Sequence, residues 1–174
     1  MNTSGSELPD IYLHPGEMFI SDRPALVSTV LGSCISVTFF SPRLKVGAIC
    51  HGLLPTCKKE KASCAGNCAD GLRYVECSIK RMTKQFTALG IRNSEIEVKV
   101  FGGADMIKYG LKNGNPETVG RQNTKIALST LKDRNFQVKA FDTGGSRGRK
   151  LIFFSHTGEV FLKRLSSNEM EPQV

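Results

Sequence analysis

Two β-rich runs, CISVTFF (residues 34–40) and KVGAICH (residues 45–51), enclose the four residues SPRL and constrain the fold more than any other stretch of the chain. β-Branched and aromatic residues suit a pleated surface, and a proline-bearing polar break between two such runs reads as a hairpin. A four-residue loop over residues 41–44 sets Phe40 against Lys45, so that partner numbers sum to 85 and Cys34 stands directly opposite His51. Opposed side chains on one face of an antiparallel pair have Cβ atoms about 4.5–5.5 Å apart. A loop one residue shorter or longer sends the two side chains to opposite faces, because direction alternates along a strand. A plain buried cysteine needs no such partner; a nucleophile does.

The rest of the chain supplies sheet and helix in a definite order. Residues 1–24 are punctuated by proline and glycine and read as mostly irregular, with a short strand near Glu17–Ile20. ALVSTV, from Ala25, is a strand that runs into Gly32. Leu72, Val75, Ile79, Met82, Phe86 and Leu89 step by three and four, which predicts one amphipathic helix over residues 72–89 closed by Gly90. Ile96, Val98 and Val100 alternate as a half-buried strand, and residues 117–134 read as a second helix. FQVKAF, the glycine-rich turn DTGGSRGRK and a closing hairpin from LIFFS to EVFLKRL complete the series. This order, mainly β with two inserted helices, is that of an α+β domain in which packed sheets carry helices on their outer faces. A single domain over residues 1–174 is expected, with flexible ends at 1–12 and 166–174.

Totals narrow the class of function. With 174 residues the chain can bury about two thirds of its unfolded surface. Its apolar runs fall short of the roughly 20 residues a membrane span needs, and its N-terminus lacks a basic segment followed by an apolar one. A cytoplasmic protein without membrane insertion is the expectation. The net charge of +8 favours acidic partners, but the basic residues are scattered and no nucleic-acid motif accompanies them, so nucleic-acid binding is not expected. GGADM and DTGG lack the spacing of a phosphate loop. No cofactor is implied.

The hairpin chemistry is nucleophilic. An imidazolium beside a thiol draws it toward the reactive thiolate. Gly32 and Ser33 form a tight turn whose N–H groups can face an oxyanion, each donor being worth about 2.7–4 kcal/mol in known cases. A third residue must orient the imidazole. Ser28, six positions before Cys34, shares its face if the strand stays extended; Thr29, five before, is the other candidate. Strand parity favours Ser28.

Five motifs in order, from LHPGEMFISDRPALVSTVLGSCISVTFFSPRLKVGAICHGLLP through VKVFGGADM, GRQN and DTGGSRGRK to HTGEVFLKRL, cover nearly the whole chain and make it resemble the CheD family of chemoreceptor glutamine deamidases. The resemblance implies a cysteine hydrolase without metal, in which Cys34 attacks the carboxamide of a receptor glutamine and His51 serves as base and then acid. Methylesterase action on receptors by the same acyl chemistry is implied as well. The family has a threonine at the third catalytic position, so Ser28 and Thr29 both stand. The implied fold has four layers, α/β/β/α, similar to the catalytic domain of cytotoxic necrotizing factor. Implied partners are methyl-accepting chemoreceptors and a CheC-like phosphatase of CheY, the latter contacted through Phe101. A non-catalytic adaptor that binds receptors and stimulates such a phosphatase is the competing reading.

Cys57, Cys64, Cys68 and Cys77 depart from the family pattern. Their spacing lacks the tight pair of a zinc knuckle, and free thiols are the expectation. His14 and His156 read as surface or turn residues.

Overall fold

The computed structural model describes residues 8–57, 70–106 and 117–166. Among these residues nine strands form two sheets, accompanied by two α-helices. The first sheet contains β1 (Asp10–Tyr12), β3 (Leu26–Leu31), β8 (Arg149–Phe154) and β9 (Val160–Arg164), in the order β1-β3-β8-β9. The second contains β2 (Met18–Ser21), β4 (Ile35–Ser41), β5 (Val46–Gly52), β6 (Glu97–Gly102) and β7 (Val138–Thr143), in the order β2-β5-β4-β6-β7. Of the ladders between these strands, β1–β3 and β6–β7 are parallel and the others antiparallel. The fold is α+β with two mainly antiparallel sheets.

Every residue of β4 and β5 is buried, because these strands lie mid-sheet and are covered on both faces. Ile35, Val37 and Phe39 of β4 face the helices, packing with Val75, Ile79, Met82 and Phe86 of α1 (Val75–Ala88) and with Ala127 and Leu131 of α2 (Val119–Asp133). The opposite face meets the first sheet: Ile49 of β5 packs with Leu13, Val27 and Phe153. Among the described residues both α-helices cover the five-stranded sheet. The second helical layer of the implied four-layer arrangement is not found among them.

Two boundaries differ from expectation. The stripe from Leu72 enters α1 only at Val75, because Leu53 and Leu54 both donate their N–H groups to the Arg73 carbonyl and hold residues 71–73 in a 3₁₀ turn. At the other end Gly90 follows the helix with φ 71°, as a left-handed cap requires. Within the expected flexible N-terminal end, Asp10–Tyr12 forms β1, parallel to β3. Three residues carry too little periodicity to announce a strand. No helix among the described residues is long and apolar enough to cross a membrane.

Candidate active site

The turn that carries Cys34 is where the chain changes sheets. β3 ends at Leu31 in the first sheet, residues 32–33 form a bend, and β4 begins at Ile35 in the second. Three successive carbonyls of this turn are anchored. Gly32 O accepts from Ala104 N at 2.9 Å, Ser33 O from Asn123 Nδ2 at 3.0 Å, and Cys34 O from Gly103 N at 2.8 Å. The end of β6 approaches closely enough for this because it is glycine: a Cβ on Gly102 would lie 2.1 Å from Cys34 O, and φ there is 112°.

His51 lies on β5 opposite Ser36, and partner numbers along β4–β5 sum to 87 rather than 85. Ser41 stays in the ladder against Val46, so the loop is residues 42–45 in place of 41–44. Serine and proline are favoured at the first two positions of a turn, which sets Ser41 before the bend and Pro42 in it. Lys45 closes the loop with φ 56° and donates its N–H to Ser41 O at 2.8 Å. The shift is by two in the sum, so side-chain parity survives. Cys34 stands one step beyond the last ladder pair, diagonal to His51 instead of directly across. Both side chains belong to the face turned toward the first sheet: His51 alternates with the helix-facing Cys50, and Cys34 packs against the cluster of Leu31, Phe101 and Leu151. Cys34 is partly exposed, whereas His51 is 1% exposed.

Thr29 Oγ1 lies 2.8 Å from His51 Nδ1 and also donates to the Leu13 carbonyl at 2.8 Å. A threonine hydroxyl has one proton. With that proton on Leu13 O, the oxygen accepts from His51, so Nδ1 carries the imidazole hydrogen and Nε2 is a lone pair. Nε2 is buried and without a partner among the described residues, as are Ser36 Oγ across the ladder and Asn123 Oδ1. Each such atom costs about 1–3 kcal/mol, which is tolerated where a substrate or water completes the bonding. Ser28 does not reach this place. It alternates with the buried Val27, Thr29 and Leu31 and so faces away from the opposing sheet. Parity counted back from Cys34 fails because the chain bends between sheets at residues 32–33.

Burial lowers the His51 pKa below its ordinary 6.5, opposed by the Leu13 carbonyl and the Glu17 charge and reinforced by His14. Burial likewise raises the Cys34 thiol, against the effect of its own backbone N–H. Both shifts disfavour the charged forms, so burial works against the imidazolium–thiolate pair expected from sequence.

Phe101 is 6% exposed and packed between the sheets with Leu31 and Leu151, so it offers no docking surface. Val98 and Val100 of β6 take the helix side, which turns Phe101 inward. Cys57 is partly exposed and Cys77 buried, while Cys64 and Cys68 lie outside the described residues. His14 stacks edge-on with Tyr12, and His156 sits in the β8–β9 turn.

A family model described as CheD chemotactic sensory transduction matches residues 53–164, well over half of the chain. The chain belongs to the CheD family. Its match to that model starts just beyond His51, but two curated CheD relatives align over nearly the full length. The "Probable chemoreceptor glutamine deamidase CheD 2" of Geobacter sulfurreducens is 43% identical over 98% of this chain and 99% of its own. The "Probable chemoreceptor glutamine deamidase CheD" of Maridesulfovibrio salexigens is 35% identical over 97% and 99%. In this CheD chain the aligned region therefore includes the turn with Cys34, the strand with His51 and the helix with Asn123.

Proposed function

We propose that this chain deamidates glutamine side chains of chemoreceptors to glutamate through a thioester on Cys34. One observation carries the reading: Thr29 Oγ1 lies 2.8 Å from His51 Nδ1 while the buried Nε2 is left without a partner among the described residues, on the same sheet face as Cys34. In the first step Nε2 takes the thiol proton as sulfur bonds to the carboxamide carbon. The C–N bond then breaks, and the proton on Nε2 passes to the departing ammonia. Water, deprotonated by the same nitrogen, attacks the thioester; sulfur leaves as thiol and the product is glutamate. A glutamate methyl ester reaches the same thioester with methanol as leaving group, which extends the proposal to methylesterase action.

The oxyanion donors follow from peptide geometry. In a planar trans peptide the C=O and the following N–H point in opposite directions. Anchoring Gly32 O and Ser33 O on Ala104 and Asn123 therefore turns the N–H groups of Ser33 and Cys34 the other way. These two donors, in place of the Gly32 and Ser33 pair expected from sequence, suit the tetrahedral oxyanion. The net charge of +8 suits acidic helical receptors. The test is incubation with a chemoreceptor cytoplasmic domain and mass analysis of its peptides. Amide-to-acid conversion at specific glutamines is expected. Intact binding without conversion would leave the adaptor reading, with its CheC-like partner, as the better one.

Two further outcomes follow. Thr29→Val removes the hydroxyl that accepts from the Nδ1–H of buried His51, a cost of about 1–3 kcal/mol, and is expected to slow deamidation roughly 5- to 150-fold. Ser28→Ala changes it by less than about twofold. Equal effects of the two, measured as kcat/KM on one receptor domain, would contradict the assignment. As for pH, the base must be neutral and its pKa is lowered, so the acid limb of kcat/KM has its midpoint below 6.5. A midpoint at or above 6.5 would place the limiting ionisation elsewhere.

A further inference from the structure

Beyond Ile35 and Gly52, the last ladder pair, β4 and β5 part company. Upstream of Ile35 the chain turns toward the first sheet. Downstream of Gly52, Leu53 and Leu54 bend away to bond Arg73 O. The catalytic thiol and imidazole flank this opening: His51 is held in the ladder opposite Ser36, whereas Cys34 lies one residue beyond its end. Among the described residues a side chain spans it: Asn123 on α2 donates from Nδ2 to Ser33 O at 3.0 Å and to Leu53 O at 2.9 Å.

We propose that Asn123 is a positioning residue for the deamidation, a clamp that sets the spacing between the Cys34 turn and the His51 strand. Both amide hydrogens of Asn123 are used on the two chain segments that carry the reacting groups, one residue before Cys34 and two after His51. The residue is fully buried, yet its Oδ1 has no partner among the described residues, an arrangement that packing alone would not favour over an apolar side chain. Asparagine is also a poor choice for a helix interior. The helix is brought to the turn by Gly120, on the same face one turn earlier: a Cβ there would lie 2.5 Å from Ala104 O and 2.7 Å from Gly103 O. These belong to the same segment that anchors Gly32 O and Cys34 O. Helix, glycine segment and nucleophile turn thus form one stack, with Asn123 as its tie to the base.

The inference rests on the thiol–imidazole reading and is tested without substrate. Iodoacetamide alkylation of Cys34, followed by peptide mass analysis on the full chain, is compared for the parent, His51→Asn, Asn123→Ala and the double variant, with receptor kcat and KM alongside. Asn123→Ala is expected to slow Cys34 alkylation at least about threefold and to remove most of the further slowing by His51→Asn, so that the two effects overlap instead of multiplying. The loss on receptor falls in kcat with KM little changed. Effects that multiply, in a parent chain whose alkylation does depend on His51, overturn the positioning role alone. Alkylation indifferent to His51 in the parent refutes the thiol–imidazole reading and takes the clamp with it. Asn123→Asp, equal in size but with an oxygen facing both carbonyls, is the second variant. If both Asn123 variants lose their cooperative unfolding transition, the residue serves the fold and the proposal is wrong.

Discussion

Cys34→Ala is expected to abolish deamidation, a loss of at least about 10⁶-fold if the enzyme works in the usual range of rate enhancement. The argument is chemical. In the proposed mechanism alanine removes the atom that bonds covalently to the substrate, and neither the Thr29–His51 pair nor the anchored turn supplies a substitute. The fold should not suffer. Cys34 is partly exposed at the margin of the Leu31, Phe101 and Leu151 cluster, and its backbone anchor runs through its carbonyl to Gly103. Conversion of receptor glutamines, read by peptide mass, should vanish while the thermal midpoint stays close to the parent value. Residual turnover above background in a folded Cys34→Ala chain would contradict the nucleophile assignment.

His51→Asn is expected to lower kcat/KM by about 10²–10⁴-fold, the usual worth of a positioned general base. Asparagine is chosen because its Nδ2 can occupy the place of the imidazole Nδ1–H and keep the bond to Thr29, while nothing replaces Nε2. The effect should be large here for a specific reason. Burial pushes the thiol up and the imidazole down, which disfavours a preformed thiolate and makes attack by sulfur the more dependent on proton transfer to His51. A site built on an ion pair would lose its base less expensively near neutral pH. The variant should unfold cooperatively, since the backbone of His51 remains bonded through its N–H to Glu17 O and its carbonyl to Gly16 N. A folded His51→Asn chain within a few-fold of the parent rate would remove His51 from the mechanism.

Features written in local periodicity are legible in the residues themselves. The stepped stripe on α1 and the apolar density of β4 and β5 announce their own packing. Cys34 and His51 are recoverable because a hairpin loop placed one residue early shifts both of its ends alike and preserves parity. What the sequence hides depends on contacts between distant segments. Ser28 displaces Thr29 in a parity count that assumes one continuous strand, but the chain leaves one sheet for the other at Gly32 and Ser33. Phe101 looks available because alternation marks a strand's two faces without saying that a second sheet covers the other one. Asn123 sits among polar neighbours in GRQNTK, where burial of a single carboxamide has no local signature. Of the two candidates Thr29 is the one of the residue type that the family resemblance implies at the third catalytic position, while the resemblance leaves its exact counterpart open.

The central claim is a covalent bond between Cys34 and the receptor, and the protein itself can be weighed for it. Acid quenching during turnover of a receptor domain, followed by digestion and mass analysis, should reveal an adduct confined to the peptide bearing Cys34, with the mass of the receptor peptide less ammonia. Turnover that proceeds with Cys34 unmodified at every time point, or an adduct carried by a different residue, would contradict it.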